Sequence, residues 1–217
     1  MNRRPEVRLV VIGGSTGGVA ALGEILPRLP ADFSPSVAVI LHQPAARDSL
    51  LADLFARKCN LPVLEAYDKA PVAAGHVFFA PPDYHLLIER DLSFVLSLDE
   101  PVHFSRPSID VLLQSAAASV GNALLAIILT GNNADGAEGL KAVRAAGGLG
   151  WVQRPDTALA PTMPRAALEV AGADAILPLK EMAVQLATLS GRQLDGDLRM
   201  RNDASGGGRS RDGNEGP

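Results

Sequence analysis

The chain has 217 residues, 47% of them hydrophobic, and a formal net charge of -4 from 20 Lys and Arg against 24 Asp and Glu. That length and apolar content suit one domain with one hydrophobic core, and the mild acidity gives no broad electrostatic reason to expect nucleic acid or an anionic membrane as partner. Cys59 is the only cysteine, which excludes an internal disulfide and argues against a cysteine-built metal site; it reads as a half-buried helix residue.

In chain order, Arg8 to Ile12 is apolar on both faces from residue 9 onward, as a buried parallel strand requires. A glycine-rich turn ends it. Val19, Leu22, Ile25, Leu26 and Leu29 then fall at helical spacing, with Pro27 limiting the helix. Ser36 to Leu41 predicts a second strand ending at His42, Ser49 to Lys58 a helix, and Pro62 to Ala66 a short third strand. This β-α-β-α-β rhythm predicts an α/β fold, a doubly wound and mostly parallel sheet with helices on both faces.

Between Gly75 and Leu98 the pattern changes to three short strands, around 76–80, 84–89 and 92–96, separated by Pro81-Pro82-Asp83 and Arg90-Asp91. They predict a small antiparallel insertion at a sheet edge. Parallel order resumes with a helix from Ser108 to Val120, a strand from Ala123 to Leu129, and a helix opening near Gly136. Gly150 to Gln153, Met163 to Val170, Ala175 to Leu177 and Lys180 to Leu189 follow as strand, helix, strand and helix. The domain is expected to span residues 1–190, and 191–217, poor in apolar side chains, to be a disordered tail. No segment offers the roughly 18 apolar residues of a membrane span, and Leu9 to Ile12 is too short for a signal segment, so a soluble, cytoplasmic protein is expected.

Gly13-Gly14-Ser15-Thr16-Gly17 fits G-x-S-x-G, whose glycines allow the tight turn that exposes a serine hydroxyl at the end of a strand. The helix that follows offers free N–H groups, which could stabilise an oxyanion or hold a phosphate; the motif alone leaves both readings open. Position favours the first. His42 follows the second strand, and Asp135 lies in the loop after the strand 123–129, so Ser15, His42 and Asp135 all emerge at carboxyl ends of parallel strands. A serine needs a neighbouring base, and that imidazole needs a carboxylate to orient it. The bland alternatives are a structural histidine and, for Asp135-Gly136, a helix cap. His76, His85 and His103 rank behind His42 as the base, and no metal-ligand spacing stands out among the four histidines.

These residues resemble the catalytic domain of the CheB-type chemotaxis protein-glutamate methylesterases. The similar segments are 12–18, Leu41-His42-Gln43-Pro44, Gly75-His76 with Ala80-Pro81, Ser105-Arg106-Pro107-Ser108-Ile109-Asp110-Val111-Leu112, Ile128-Leu129-Thr130-Gly131, Asp135-Gly136 and Met163-Pro164-Arg165-Ala166-Ala167, in order along residues 8–190. The resemblance implies hydrolysis of glutamate methyl esters on chemoreceptor cytoplasmic helices and, in many members, deamidation of receptor glutamines, without a cofactor. It makes Ser15 the nucleophile, His42 the general base and acid, and Asp135 the residue that orients His42. Thr16 is implied as an oxyanion or histidine-orienting residue, or else as a helix-capping hydroxyl. Asn132 is placed near the oxyanion, and Arg106 at the substrate.

Three departures stand out. The family's Gly-Met-Gly-x-Asp-Gly loop here reads Gly131-Asn132-Asn133-Ala134-Asp135-Gly136, with Asn132 in the methionine's place; Gln43 follows the histidine where methionine is usual; and only a few residues precede the first strand, where the family usually carries a receiver domain. A catalytically weak binding module of the same fold and an anion-binding protein using the glycine turn stand as alternatives.

Overall fold

The computed structural model describes residues 6–42 and 50–189. The tail expected over 191–217, the Gln43-Pro44 segment and Ser49 lie outside the described residues. In chain order the elements are β1 Leu9–Gly14, α1 Gly18–Ile25, β2 Ser36–Leu41, α2 Leu51–Ala56, β3 Val63–Glu65, β4 Val77–Phe79, β5 His85–Ile88, β6 Phe94–Ser97, α3 Ile109–Val120, β7 Leu124–Ile128, α4 Ala137–Ala145, β8 Leu149–Gln153, α5 Thr162–Val170, β9 Ala175–Leu177 and α6 Leu179–Ala187.

Seven strands form one parallel sheet in the order β3-β4-β2-β1-β7-β8-β9. Its three central strands, β2, β1 and β7, are buried at every position, which is why their sequences read as unbroken apolar runs. Along β1 the faces alternate. Val10 and Ile12 pack with Leu22 and Ile25 of α1, Phe55 of α2 and Met182 and Leu186 of α6. Leu9 and Val11 face the opposite layer, with Leu112 and Leu113 of α3, Leu140 of α4 and Met163 of α5. Each such aliphatic side chain contributes about 1.5–3 kcal/mol by leaving water. Pro27 acts as expected: α1 stops at Ile25, and the chain continues into a short 3₁₀ turn over Leu26–Arg28.

One expectation needs correction. The segment 76–80 does not belong with the antiparallel strands: β4 runs parallel within the main sheet, between β2 and β3. Its three residues, Val77, Phe78 and Phe79, are all buried, as a strand covered on both faces must be. Among the described strands only β5 and β6 pair antiparallel, and they pack over α3 rather than extending a sheet edge, with Phe94 meeting the Phe78 ring edge-on at 5.0 Å. Cys59 likewise follows α2 instead of lying in a helix; it is half-buried, and burial pushes its thiol pKa up.

The chain builds outward from β1 to β2 on one side, then returns to place β7 on the other. Where strand order reverses in this way, the loops at the carboxyl ends part and leave a crevice. Ser15 follows β1 at that switch point.

Candidate active site

The β1 register pairs Gly14 with Leu41 of β2 and Gly13 with Ile128 of β7, so Ser15 and His42 each stand one residue past paired strand ends. The Ser15 N–H donates to the Thr130 carbonyl at 2.9 Å, and the His42 N–H donates to the Gly14 carbonyl at 3.2 Å. The chain then turns sharply. Gly18 N–H donates back to the Ser15 carbonyl at 2.8 Å, and Gly17 takes φ +83°, a conformation that disfavours any residue with a Cβ. Gly13 is required for a different reason: a Cβ there would lie 2.5 Å from Ile109 Cγ2, so α3 packs directly on the backbone beneath the serine.

Thr130 locks this turn from the neighbouring loop. Its hydroxyl donates to the Thr16 carbonyl at 2.8 Å and accepts from Ala160 N–H at 2.9 Å, while its own N–H donates to the buried Gln153 side chain at 2.9 Å. Thr16 does not cap α1. Gly17 holds the cap position, with no side-chain bond to the helix. The backbone N–H groups of Thr16 and Asn132 donate to no other group among the described residues, which leaves one free donor in each of the two loops. The Asn132 side chain accepts a bond from the Thr162 hydroxyl at 3.2 Å.

Asp135 is fully buried. Its Oδ2 accepts from His42 Nε2 at 2.8 Å and from Ile109 N–H at 2.7 Å; its Oδ1 accepts from the Ser108 hydroxyl at 2.8 Å and Asp110 N–H at 3.0 Å. Burial pushes the carboxyl pKa up, but the bonds from His42, the Asp110 and Ile109 amides and Ser108 outweigh it and hold the group below the usual carboxylate range. The aspartate therefore sits as an anion at the amino end of α3, where free N–H groups and the helix dipole favour negative charge. It is not the cap of α4, whose cap position is Gly136.

An ionised carboxylate only accepts, so the His42 proton facing it resides on Nε2 and leaves a lone pair on Nδ1. Among the described residues, two side chains approach Nδ1: Asn133 Nδ2 at 3.4 Å and Ser105 Oγ at 3.5 Å. No hydrogen bond joins the Ser15 hydroxyl to the imidazole. The structure thus brings His42 and Asp135 into direct contact and sets Ser15 on the adjoining strand end. Neither Asn133 nor the Ser105 hydroxyl was singled out from the sequence, because their approach depends on contacts 91 and 63 residues away along the chain.

Arg106 Nη1 donates to the carbonyls of Leu98 at 3.1 Å and Asp99 at 3.2 Å, so the guanidinium braces the segment that carries Ser105. The other histidines have local partners. His76 Nδ1 meets the Ala74 carbonyl at 2.8 Å. His85 is buried, with Nδ1 accepting from Ser108 N–H at 3.1 Å, and His103 Nε2 lies 3.4 Å from Asp110. Asp110 is itself buried and accepts from Gly139 N–H at 2.7 Å. Its pKa is raised by that burial, and the neighbouring Asp135 charge adds to the rise.

A doubly wound parallel sheet carries at its strand ends a half-buried serine turn and a half-buried histidine bonded to a buried aspartate. The CheB methylesterase family model matches residues 10–186, and the chain belongs to that family. A Leptospira interrogans protein with the provisional name protein-glutamate methylesterase/protein-glutamine glutaminase is 42% identical over 186 residues, covering 86% of this chain and 96% of its own length. A Pseudomonas aeruginosa protein-glutamate methylesterase/protein-glutamine glutaminase is 37% identical over 88% of this chain, which spans 55% of that relative. The crystal structure of the Thermotoga maritima CheB methylesterase catalytic domain superposes with a TM-score of 0.81 at 32% identity, over 85% of this chain and all of that one. Among the described residues no helix is long and apolar enough to cross a membrane.

Proposed function

We propose that this hydrolase removes methyl groups from glutamate methyl esters on the cytoplasmic helices of chemoreceptors, and deamidates receptor glutamines, through a Ser15-His42-Asp135 triad. The observation that carries the reading is the buried Asp135 carboxylate on His42 Nε2, which leaves Nδ1 as a base at the strand ends where the Ser15 turn lies. Ser15 Oγ attacks the ester carbonyl carbon as its proton passes to His42 Nδ1. The N–H groups of Thr16 and Asn132 hold the oxyanion, and the imidazolium returns its proton to the departing methanol. Water then repeats the sequence in reverse, with Ser15 as leaving group, and frees the glutamate. From glutamine the same steps release ammonia. Arg106 acts from the cleft wall, holding the Ser105 segment in place for the receptor helix. No step calls for a cofactor.

One observation favours a second reading: the Ser105 hydroxyl, not that of Ser15, lies within 3.5 Å of Nδ1. Against it, the N–H groups nearest to Ser105 at the start of α3, those of Ile109 and Asp110, are already engaged by Asp135 and cannot stabilise an oxyanion. Methanol release from methyl-labelled receptor membranes separates the two. Loss in Ser15→Ala with retention in Ser105→Ala is expected. The opposite pattern transfers the nucleophile to Ser105, and no release by the native protein sinks both.

A further inference from the structure

Asn133 joins two members of the proposed triad. Its Oδ1 accepts from the backbone N–H of Asp135 at 3.2 Å, which fixes the orientation of the amide and turns Nδ2 toward His42 Nδ1, 3.4 Å away. The tautomer agrees with this arrangement. With the proton on Nε2 directed to Asp135, Nδ1 presents a lone pair, and the amide presents N–H. Ser105 Oγ completes the group, 3.5 Å from both Nδ1 and Asn133 Nδ2.

A neutral imidazole has one lone pair, and the nucleophile's hydroxyl must reach that same lone pair to be deprotonated. We infer that Asn133 is a positioning residue that caps the base nitrogen of His42 in the resting enzyme, so that Ser15 is activated only as the Asn133 amide swings off Nδ1. The inference rests on the triad reading above. It accounts for two features together: Nδ1 is met by side chains of two other loops, and the Ser15 hydroxyl makes no bond to it. The contacts at 3.4–3.5 Å are long for hydrogen bonds, as suits a cap that yields to the nucleophile.

The test uses the full chain and an alkyl fluorophosphonate, which needs no receptor. Ser15 Oγ bonds to phosphorus, fluoride leaves, and the hydroxyl proton goes to His42. Asn133→Ser is the informative variant. A serine hydroxyl still accepts from the N–H two residues on and keeps the turn, but is too short to reach Nδ1. Its labelling of Ser15 should be roughly three- to tenfold faster than native, the advantage of releasing one neutral hydrogen bond. The ¹⁵N resonance of His42 Nδ1 should move in the unreacted protein, a change that a purely structural role for Asn133 does not predict. Equal or slower labelling in Asn133→Ser overturns the inference, as does an Nδ1 resonance indifferent to the substitution. A native protein whose labelling persists in Ser15→Ala overturns the triad reading instead.

Discussion

His42 and Asp135 are 93 residues apart in the chain, yet Nε2 lies 2.8 Å from Oδ2, and that carboxylate oxygen also takes the first N–H of α3. One buried anion therefore orients the His42 imidazole and anchors a helix at the same time.

Asp135→Asn should disable both functions. An asparagine offers one oxygen where two each accept twice, so some of the donors from His42, Ser108, Ile109 and Asp110 lose their partner. We expect kcat to fall by about 10²–10⁴, the scale of losing an oriented general base. Stability should fall by about 1–3 kcal/mol through unsatisfied buried groups. Ester hydrolysis and urea unfolding check the two effects separately.

The two buried carboxylates should respond to pH in opposite directions. Asp135 is held below its ordinary value of 3.8, so the stability it contributes is fully present above that value and is lost as pH falls through the lower, folded one. Asp110 is raised above 3.8, so its contribution is present below 3.8 and is lost as pH rises through the folded value. Asp110→Asn keeps an oxygen for Gly139 N–H and removes the buried charge. It should be more stable than the native protein at pH 7, with the advantage gone at pH 3. Urea midpoints at the two pH values measure this, and an advantage unchanged at pH 3 rules out the charge as its cause.

Gly13→Ala tests how closely α3 approaches the serine turn. The added methyl meets Ile109 at 2.5 Å, and overpacking of this kind costs about 1–3 kcal/mol. Because Ile109 N–H holds Asp135, the displacement should also lower kcat. A variant with native melting temperature and native kcat contradicts the packing described above.

Thr130→Val keeps the shape of the side chain but removes the hydroxyl that ties Thr16 to Ala160. About 1–3 kcal/mol of stability should go with it. The Thr16 amide should lose its fixed direction, so kcat is expected to fall more than KM changes. Steady-state kinetics on a soluble ester give the split.

Much of this was legible from residue patterns. The central strands announced themselves as apolar runs, and the glycines around Ser15 marked the turn, because both depend on local backbone and solvent preferences. The parallel pairing of β4 is hard to read because three residues carry no periodicity and the turn residues after them suggest a hairpin; the unbroken apolar run Val77-Phe78-Phe79 is the local sign of a strand covered on both faces. The roles of Thr130 and Asn133 left no local signal, since a loop threonine or asparagine has the same composition whether it faces water or a histidine.

The sequence by itself determined the serine turn, the strands that deliver Ser15, His42 and Asp135 to one edge, and the family to which the chain belongs. Only the tertiary structure decided which imidazole nitrogen faces Asp135, that α3 holds the aspartate ionised, and that the Asn133 amide lies 3.4 Å from the other nitrogen. The strand order β2-β1-β7 brings distant loops within hydrogen-bond reach, and contacts made across such distances depend on side-chain placement in three dimensions, not on spacing along the chain.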